Sequence, residues 1–520
     1  MPAGRSAHGG YDDFARMTVH TAAIGPSSAA VEGSPDTALA QAAQQARSGR
    51  LDEAVATLLP CLRRHPDHWP LAAALVDLHE AQGAVGKAIE LLTAFVADTP
   101  ASAEAWHRLA GLWSRGGHRA AAIPAAHRAV ALRPEWPAAL NRLGGLLEPD
   151  DPAQAEALFA RALTADPRGN AARLNLARCL RDRGDLPAAI ALLQEAVDRA
   201  PDDAQARIAL AETQLQAGHY AEGWAGYAWR FGEGGRVPRY PGTEAPVWDG
   251  EPLDGRIVMV WLEQGLGDQL QCCRWLPDIA AAGGRIWLQT PRVLRPLLAT
   301  LGVVERFFDE GESPRGFDLQ IPLMSLPHAL RRTRQDIPPA PYLTASPELP
   351  AACASLLATA DGRLRVGLVH ASRPDHPAAS RRDCPLAAFE ALSDVPDVML
   401  CSLQFGEVAG AMARAQTWPL VDLSPVLGDF AQTAAIVRAL DLVVTVDTAM
   451  AHLCGALGHP VWTLLSTPCD WRWGVGRDDT PWYPSMRLYR QANRGDWHAP
   501  LAAIRHDLAR RVADRLAAGA

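Results

Sequence analysis

A period of about 34 residues constrains this chain more than any other feature. Prolines stand at 66, 100, 134, 167 and 201, spaced by 34, 34, 33 and 34. Gly49, Gly83, Gly117, Asp150, Gly184 and Gly218 keep the same register half a unit earlier. A unit such as residues 171–203 reads as two amphipathic helices, the first stopping near Gly184 and the second before Pro201. No such hairpin buries its apolar face alone, so about six of them must stack into a curved solenoid over residues 34–231.

A period of this length with these stops is the tetratricopeptide signature. The concave face of such an array usually binds protein, although a spacer or dimerisation arm would need the same pattern. Residues 1–33 are rich in Gly, Ala, Ser and Pro with few apolar anchors, and read as disordered. The last unit turns aromatic (Trp224, Tyr227, Trp229, Phe231), which predicts that its second helix docks onto the C-terminal region of the chain. Residues 232–247 read as a Gly/Pro-rich linker. Beyond Trp248 short apolar runs alternate with helices, the pattern of a parallel α/β region. At 520 residues, two or three domains are expected.

Composition removes several function classes. The net charge is −8, with no dense Lys/Arg block, which argues against nucleic acid or an anionic membrane as the main partner. No run of about 18 apolar residues and no apolar leader segment is evident, so a cytoplasmic protein without a membrane span is expected. Nine scattered cysteines without a C-x-x-C motif predict neither structural disulfides nor a zinc site.

Chemistry concentrates at strand ends. Leu442–Val446 is a valine-rich run suited to a strand buried on both faces, and Asp447 and Thr448 cap the helix after it, which ends at Gly458. Free backbone N–H groups at 448–450 would offer an anion site at the carboxyl end of that strand. His452 lies one turn later and faces either the same crevice or the core. Ile257–Leu262 opens into Gly265-Leu266-Gly267-Asp268 and a helix from Gln269 to about Ala282. Two glycines let a ligand approach the backbone, and Asp268 is either a general base or only a helix cap. Residues 365–370 begin another unit, whose loop carries Arg373, Arg381 and Arg382, guanidinium groups suited to phosphate. A third strand ends at Gln404. Trp482 and Tyr483 are read as packing, while Trp471 and Trp473 stay open between packing and stacking on a ligand.

Taken together, EQGLGDQLQCCRWLP, RRDCPL, SLQFGE, VDTAMAHLCGALGHPVW and DWRW…PWYPSMRLYRQ resemble the C-terminal region of bacterial tetratricopeptide-repeat glycosyltransferases, distantly related to the lipopolysaccharide heptosyltransferases. The resemblance runs from about residue 36 onward. It implies a GT-B architecture, two Rossmann-like domains facing a cleft, here a short one at 248–345 and a donor-binding one at 346–520. It also implies an inverting, metal-independent transfer from a nucleotide sugar used as substrate, with no cofactor. Asp268 matches the family's base. Gly265 and Gly267, with Arg382 and Gln404, fall in the implied donor site. Asp447, Thr448, Ala449 and His452 match a D-T-G-x-x-H donor-phosphate motif in which Ala449 replaces glycine. One subgroup of similar build transfers nonulosonic acids such as pseudaminic acid from their CMP form to flagellin, which makes a protein acceptor on the repeats, flagellin first, the expected partner. The rivals are a non-catalytic repeat scaffold with a degenerate GT-B part, and a transferase acting on lipopolysaccharide or another glycan.

Overall fold

The computed structural model describes residues 34–232, 238, 240–375 and 378–519. The disorder expected for residues 1–33 falls outside them. The chain forms two compact units that divide between Cys179 and Leu180.

Twelve helices, numbered from α1 (Pro35–Arg47) to α12 (Tyr220–Tyr227), make six successive hairpins among the described residues. Each repeat proline stands in the turn after a second helix. Gly49, Gly83, Gly117, Gly184 and Gly218 hold φ between 71° and 96° at the turn within a hairpin, a left-handed conformation that costs glycine nothing. In the first unit small and branched side chains from adjacent hairpins interlock, Ala42, Ala54, Leu58, Leu71 and Leu75 being almost fully buried. Repeat-spaced polar pairs join neighbouring first helices: the Asn175 amide donates to Asn141 at 2.9 Å.

The second unit begins within α9 (Asn170–Arg183), continues through α10 (Leu186–Arg199), α11 (Ala204–Ala217) and α12, and carries two wholly parallel sheets. The first has the order β3-β2-β1-β4, with β1 (Ile257–Trp261), β2 (Arg285–Gln289), β3 (Val304–Phe308) and β4 (Leu319–Pro322). The second has the order β10-β9-β8-β5-β6-β7, with β5 (Leu364–Val369), β6 (Val398–Ser402), β7 (Val421–Asp422), β8 (Leu442–Val446), β9 (Val461–Leu465) and β10 (Met486–Arg490). In the first sheet the order reverses between β1 and β4, in the second between β5 and β8. Such switch points leave a crevice beyond the carboxyl ends of the strands, where open α/β sheets take ligands.

The residues expected to form a linker are partly built into the first sheet. Val247 pairs with Gln320, and the buried Tyr240 hydroxyl donates to the Glu312 carbonyl at 2.7 Å. The aromatic end of the array packs as its composition predicts: Trp224 meets Trp471 edge-on at 5.4 Å and Tyr220 meets Trp482 at 5.5 Å. The last helix of the chain is His498–Gly519, and among the described residues no helix is long and apolar enough to cross a membrane.

Candidate functional site

After β1 the chain turns at Gly265 and enters α13 (Leu266–Cys272). This helix starts three residues before the expected Gln269 and breaks at Cys273 instead of running to Ala282. Pro277 explains the break, because its ring clashes with the carbonyl four residues back and it has no N–H to donate. After β8, Thr448 caps α14 (Ala449–Ala456), accepting from the Met450 N–H at 3.3 Å. The expectation of free N–H groups across 448–450 is therefore corrected at 450, where the cap's own side chain takes the donor. Gly458, with φ 67°, ends this turn as expected.

The two helix starts pack against each other. A methyl group on Gly267 would stand 2.8 Å from Cδ2 of His452, so the glycine is the condition for that approach. Asp268 does act as a cap, with Oδ2 accepting from the Gly265 N–H at 2.8 Å. Its other oxygen, Oδ1, accepts from Arg472 at 2.5 Å.

Arg472 is the hub. It lies in a one-turn 3-10 helix, Trp471–Trp473, is nearly fully buried, and donates also to Gln271 Oε1 at 2.6 Å and Asp470 Oδ1 at 2.9 Å. Three acceptors on one planar fork offset much of the cost of burying its charge. Arg382 continues the chain, its Nη2 standing 3.4 Å from Asp447 and 3.5 Å from Asp470. Burial pushes the Asp447 carboxyl above the usual carboxylate range. Burial acts on Asp470 in the same direction, but the Arg472 guanidinium and hydrogen bonds outweigh it and hold that carboxyl below its ordinary value.

His452 is buried with Nδ1 2.9 Å from the Tyr483 hydroxyl, and its ring stacks on Trp473 with centroids 5.3 Å apart. Burial first, then the Arg472 charge, lowers its pKa to about 3, so the imidazole is neutral. Trp471, Trp473, Trp482 and Tyr483 are all buried, which places the open pair, Trp471 and Trp473, in the core alongside the two read as packing.

Gln404 clasps the loop after β5: Oε1 accepts from the N–H groups of His370 and Ala371 at 3.1 and 3.0 Å, and Nε2 donates to the Ala371 carbonyl at 3.0 Å. It holds the switch-point loop in place. Ala449 is the first residue of α14 and half-buried. Arg373 is exposed and pairs only loosely with Asp375, 3.5 Å away.

A polar cavity of about 200 Å³ opens beside this network, bounded by Arg381, Arg382, Asp470 and Trp471 on one side and by Arg181, Glu212 and Gln216 on the other. Asp447 lies at the switch point after β8, Asp470 and Arg472 follow β9, and Glu212 and Arg181 come from the repeats. Sequence reasoning missed Arg472, Asp470, Gln271, Glu212 and Arg181. The one local signal was an arginine set between two tryptophans in DWRW. A larger cavity of about 510 Å³, lined by Trp224, Trp248, Ile321, Pro327 and Arg331 among others, contains no residue of the predicted donor or base site.

Comparison with known proteins places the repeats first. Residues 45–112, 146–204 and 180–223 match the tetratricopeptide repeat. Protein FlbA of Caulobacter vibrioides is 28% identical over 493 residues, spanning 88% of this chain and 80% of FlbA. Among solved structures, MamA is 22% identical with a TM-score of 0.28, over 31% of this chain and 94% of that one. A tetratricopeptide repeat protein of Parabacteroides merdae is 19% identical with a TM-score of 0.34, over 38% and 80% of the two chains. This chain is thus a tetratricopeptide-repeat protein with a parallel α/β region, distantly similar to FlbA over most of its length.

Proposed function

We propose that the chain is an inverting glycosyltransferase of GT-B build, moving a sugar from a nucleotide-sugar donor to a protein acceptor held by its repeats. The acceptor in this reading is flagellin and the sugar a nonulosonic acid of the pseudaminic type. One observation carries it: two parallel sheets set the helix starts that follow β1 and β8 against each other, with guanidinium groups and carboxylates gathered between them. On this reading the donor phosphate lies at the start of α14, within reach of Arg382, and leaves as an anion stabilised by guanidinium and backbone N–H groups. Asp268, the base implied by resemblance, holds Arg472 in its buried conformation.

The test is intact-mass measurement of flagellin from host cells with and without the gene. Loss of a whole number of sugar masses in the deletion strain, restored by wild type but not by R382M, is expected. Unchanged flagellin mass would remove the flagellin acceptor. A second reading, a repeat scaffold whose α/β part no longer turns over, draws on the packed, neutral His452 and on Gln404 being spent on the loop after β5. Release of free sugar from the donor without acceptor separates the two, since a scaffold gives none.

A further inference from the structure

The repeats bring a carboxylate into the cleft region. Glu212 lies on α11, one turn before Gln216, and both line the 200 Å³ cavity across from Arg382 and Asp470. The placement is enforced: Ala211 and Leu215, on the adjoining stripe of α11, are fully buried in the core that also contains Trp471 and Trp473.

Glu212 differs from Asp268 in what occupies its oxygens. Both Asp268 oxygens carry hydrogen bonds, one from its own helix start and one from a buried guanidinium. Protonating that carboxylate would leave Arg472 short of a counter-charge in the core, a costly change. Glu212 makes no side-chain hydrogen bond among the described residues and has only an ion pair with Arg181 at 3.6 Å. About a third of its side chain remains accessible, facing space that a substrate group can enter.

We propose that Glu212, from the last repeat, accepts the proton of the acceptor hydroxyl, and that Asp268 is a positioning residue acting through Arg472. The inference rests on the transferase reading. In the step, the hydroxyl oxygen forms a bond to the anomeric carbon as the bond from that carbon to the donor phosphate oxygen breaks. The electron pair departs on the phosphate, and the hydroxyl proton passes to a Glu212 carboxylate oxygen. Transfer then requires the last repeat for chemistry as well as for holding the acceptor.

The groups facing Glu212 are Arg181 from α9, Tyr227 from α12, Arg381 and Arg382 from the short helix Ala379–Arg382 that follows β5, and Asp470 and Arg472 at the 3-10 turn. Burial raises the Glu212 carboxyl above its ordinary value, Arg181 opposes this, and Asp470 adds to it. A base of this kind works when deprotonated, so the transfer rate should rise with pH along an acid limb set by that group.

The experiment uses the full chain, flagellin from the deletion strain as acceptor, and a CMP-activated nonulosonic acid as donor. E212Q should lose about 10²–10⁴-fold in turnover, the usual contribution of a general base, and lose the acid limb, while CMP binds as in wild type. E212D should recover part of the loss. D268N should keep the acid limb and melt at a lower temperature. An E212Q enzyme within a few-fold of wild type, or one with the acid limb intact, overturns the assignment. So does loss of CMP binding in both Glu212 variants, which would mark a structural role. An inactive wild type fails the transferase reading itself, a result distinct from any variant effect.

Discussion

His452 is neutral because its surroundings compensate a charge too little: a hydroxyl on Nδ1, an indole face against the ring, and Arg472 close by, which outweighs the opposing Asp470 carboxylate. Its pKa falls from 6.5 to about 3 through burial first and the guanidinium second. Below pH 6.5 the unfolded chain takes up a proton that the native state refuses, so stability drops as pH falls through 6.5 and goes on dropping to about pH 3. At pH 5 this amounts to about 2 kcal/mol for a fully buried group. Urea melts at pH 7.5 and 5 should show wild type losing more stability than H452Q by roughly that amount. Equal losses would show that other histidines, such as His459 with its pKa lowered to about 4, carry the effect. Single residues at strand ends were the legible part of this region: Asp268, Thr448 and His452 were visible because a turn, a cap and a helical spacing are local. Arg472 was not, because what makes it central is a partner 204 residues away. Glu212 was hidden for the same reason, within a helix whose sequence reads as an ordinary repeat.

Between elements, glycine sets how closely α13 and α14 approach. G267A would drive a methyl group to 2.8 Å from the His452 ring, which is buried and stacked on Trp473. Overpacking of this kind costs about 1–3 kcal/mol. A Cβ on Gly455 would meet the Tyr483 ring more closely still, and that ring is fully buried. Thermal melts should therefore rank wild type above G267A and G267A above G455A. A G455A protein as stable as wild type would mean that Tyr483 can move, and with it the hydroxyl bonded to His452. The strand-turn-helix units themselves were readable from apolar runs and caps. Their internal breaks were less so: the helix after Asp268 looked continuous because its apolar spacing carries on across the point where Pro277 interrupts the backbone. Sheet order was out of reach, since the pairing of β5 with β8 joins segments separated by two intervening strands.

At the scale of the whole chain, the repeat period shows where the hairpins are, but not which of them fold with the α/β region. That depends on contacts distant in sequence. Arg230, just past α12, forms a two-pronged pair with Glu263 at 2.7 Å on each prong and also donates to Ser325 at 2.8 Å, at the switch point of the first sheet. Both charged side chains are about nine-tenths buried. Removing one partner of such a pair costs about 3–5 kcal/mol, because the other is left charged and uncompensated. The loss of the Trp224–Trp471 and Tyr220–Trp482 contacts adds about 0.5–1.5 kcal/mol for each pair. These penalties approach the whole stability of an ordinary domain, about 5–15 kcal/mol. A fragment of residues 180–520 should therefore melt cooperatively, whereas one of residues 232–520, cut where the sequence suggests a linker, should bind a hydrophobic dye and aggregate. R230M in the full chain should reproduce part of that loss. A well-folded 232–520 fragment would show instead that the last repeat is an attachment to the α/β region and not a structural part of it.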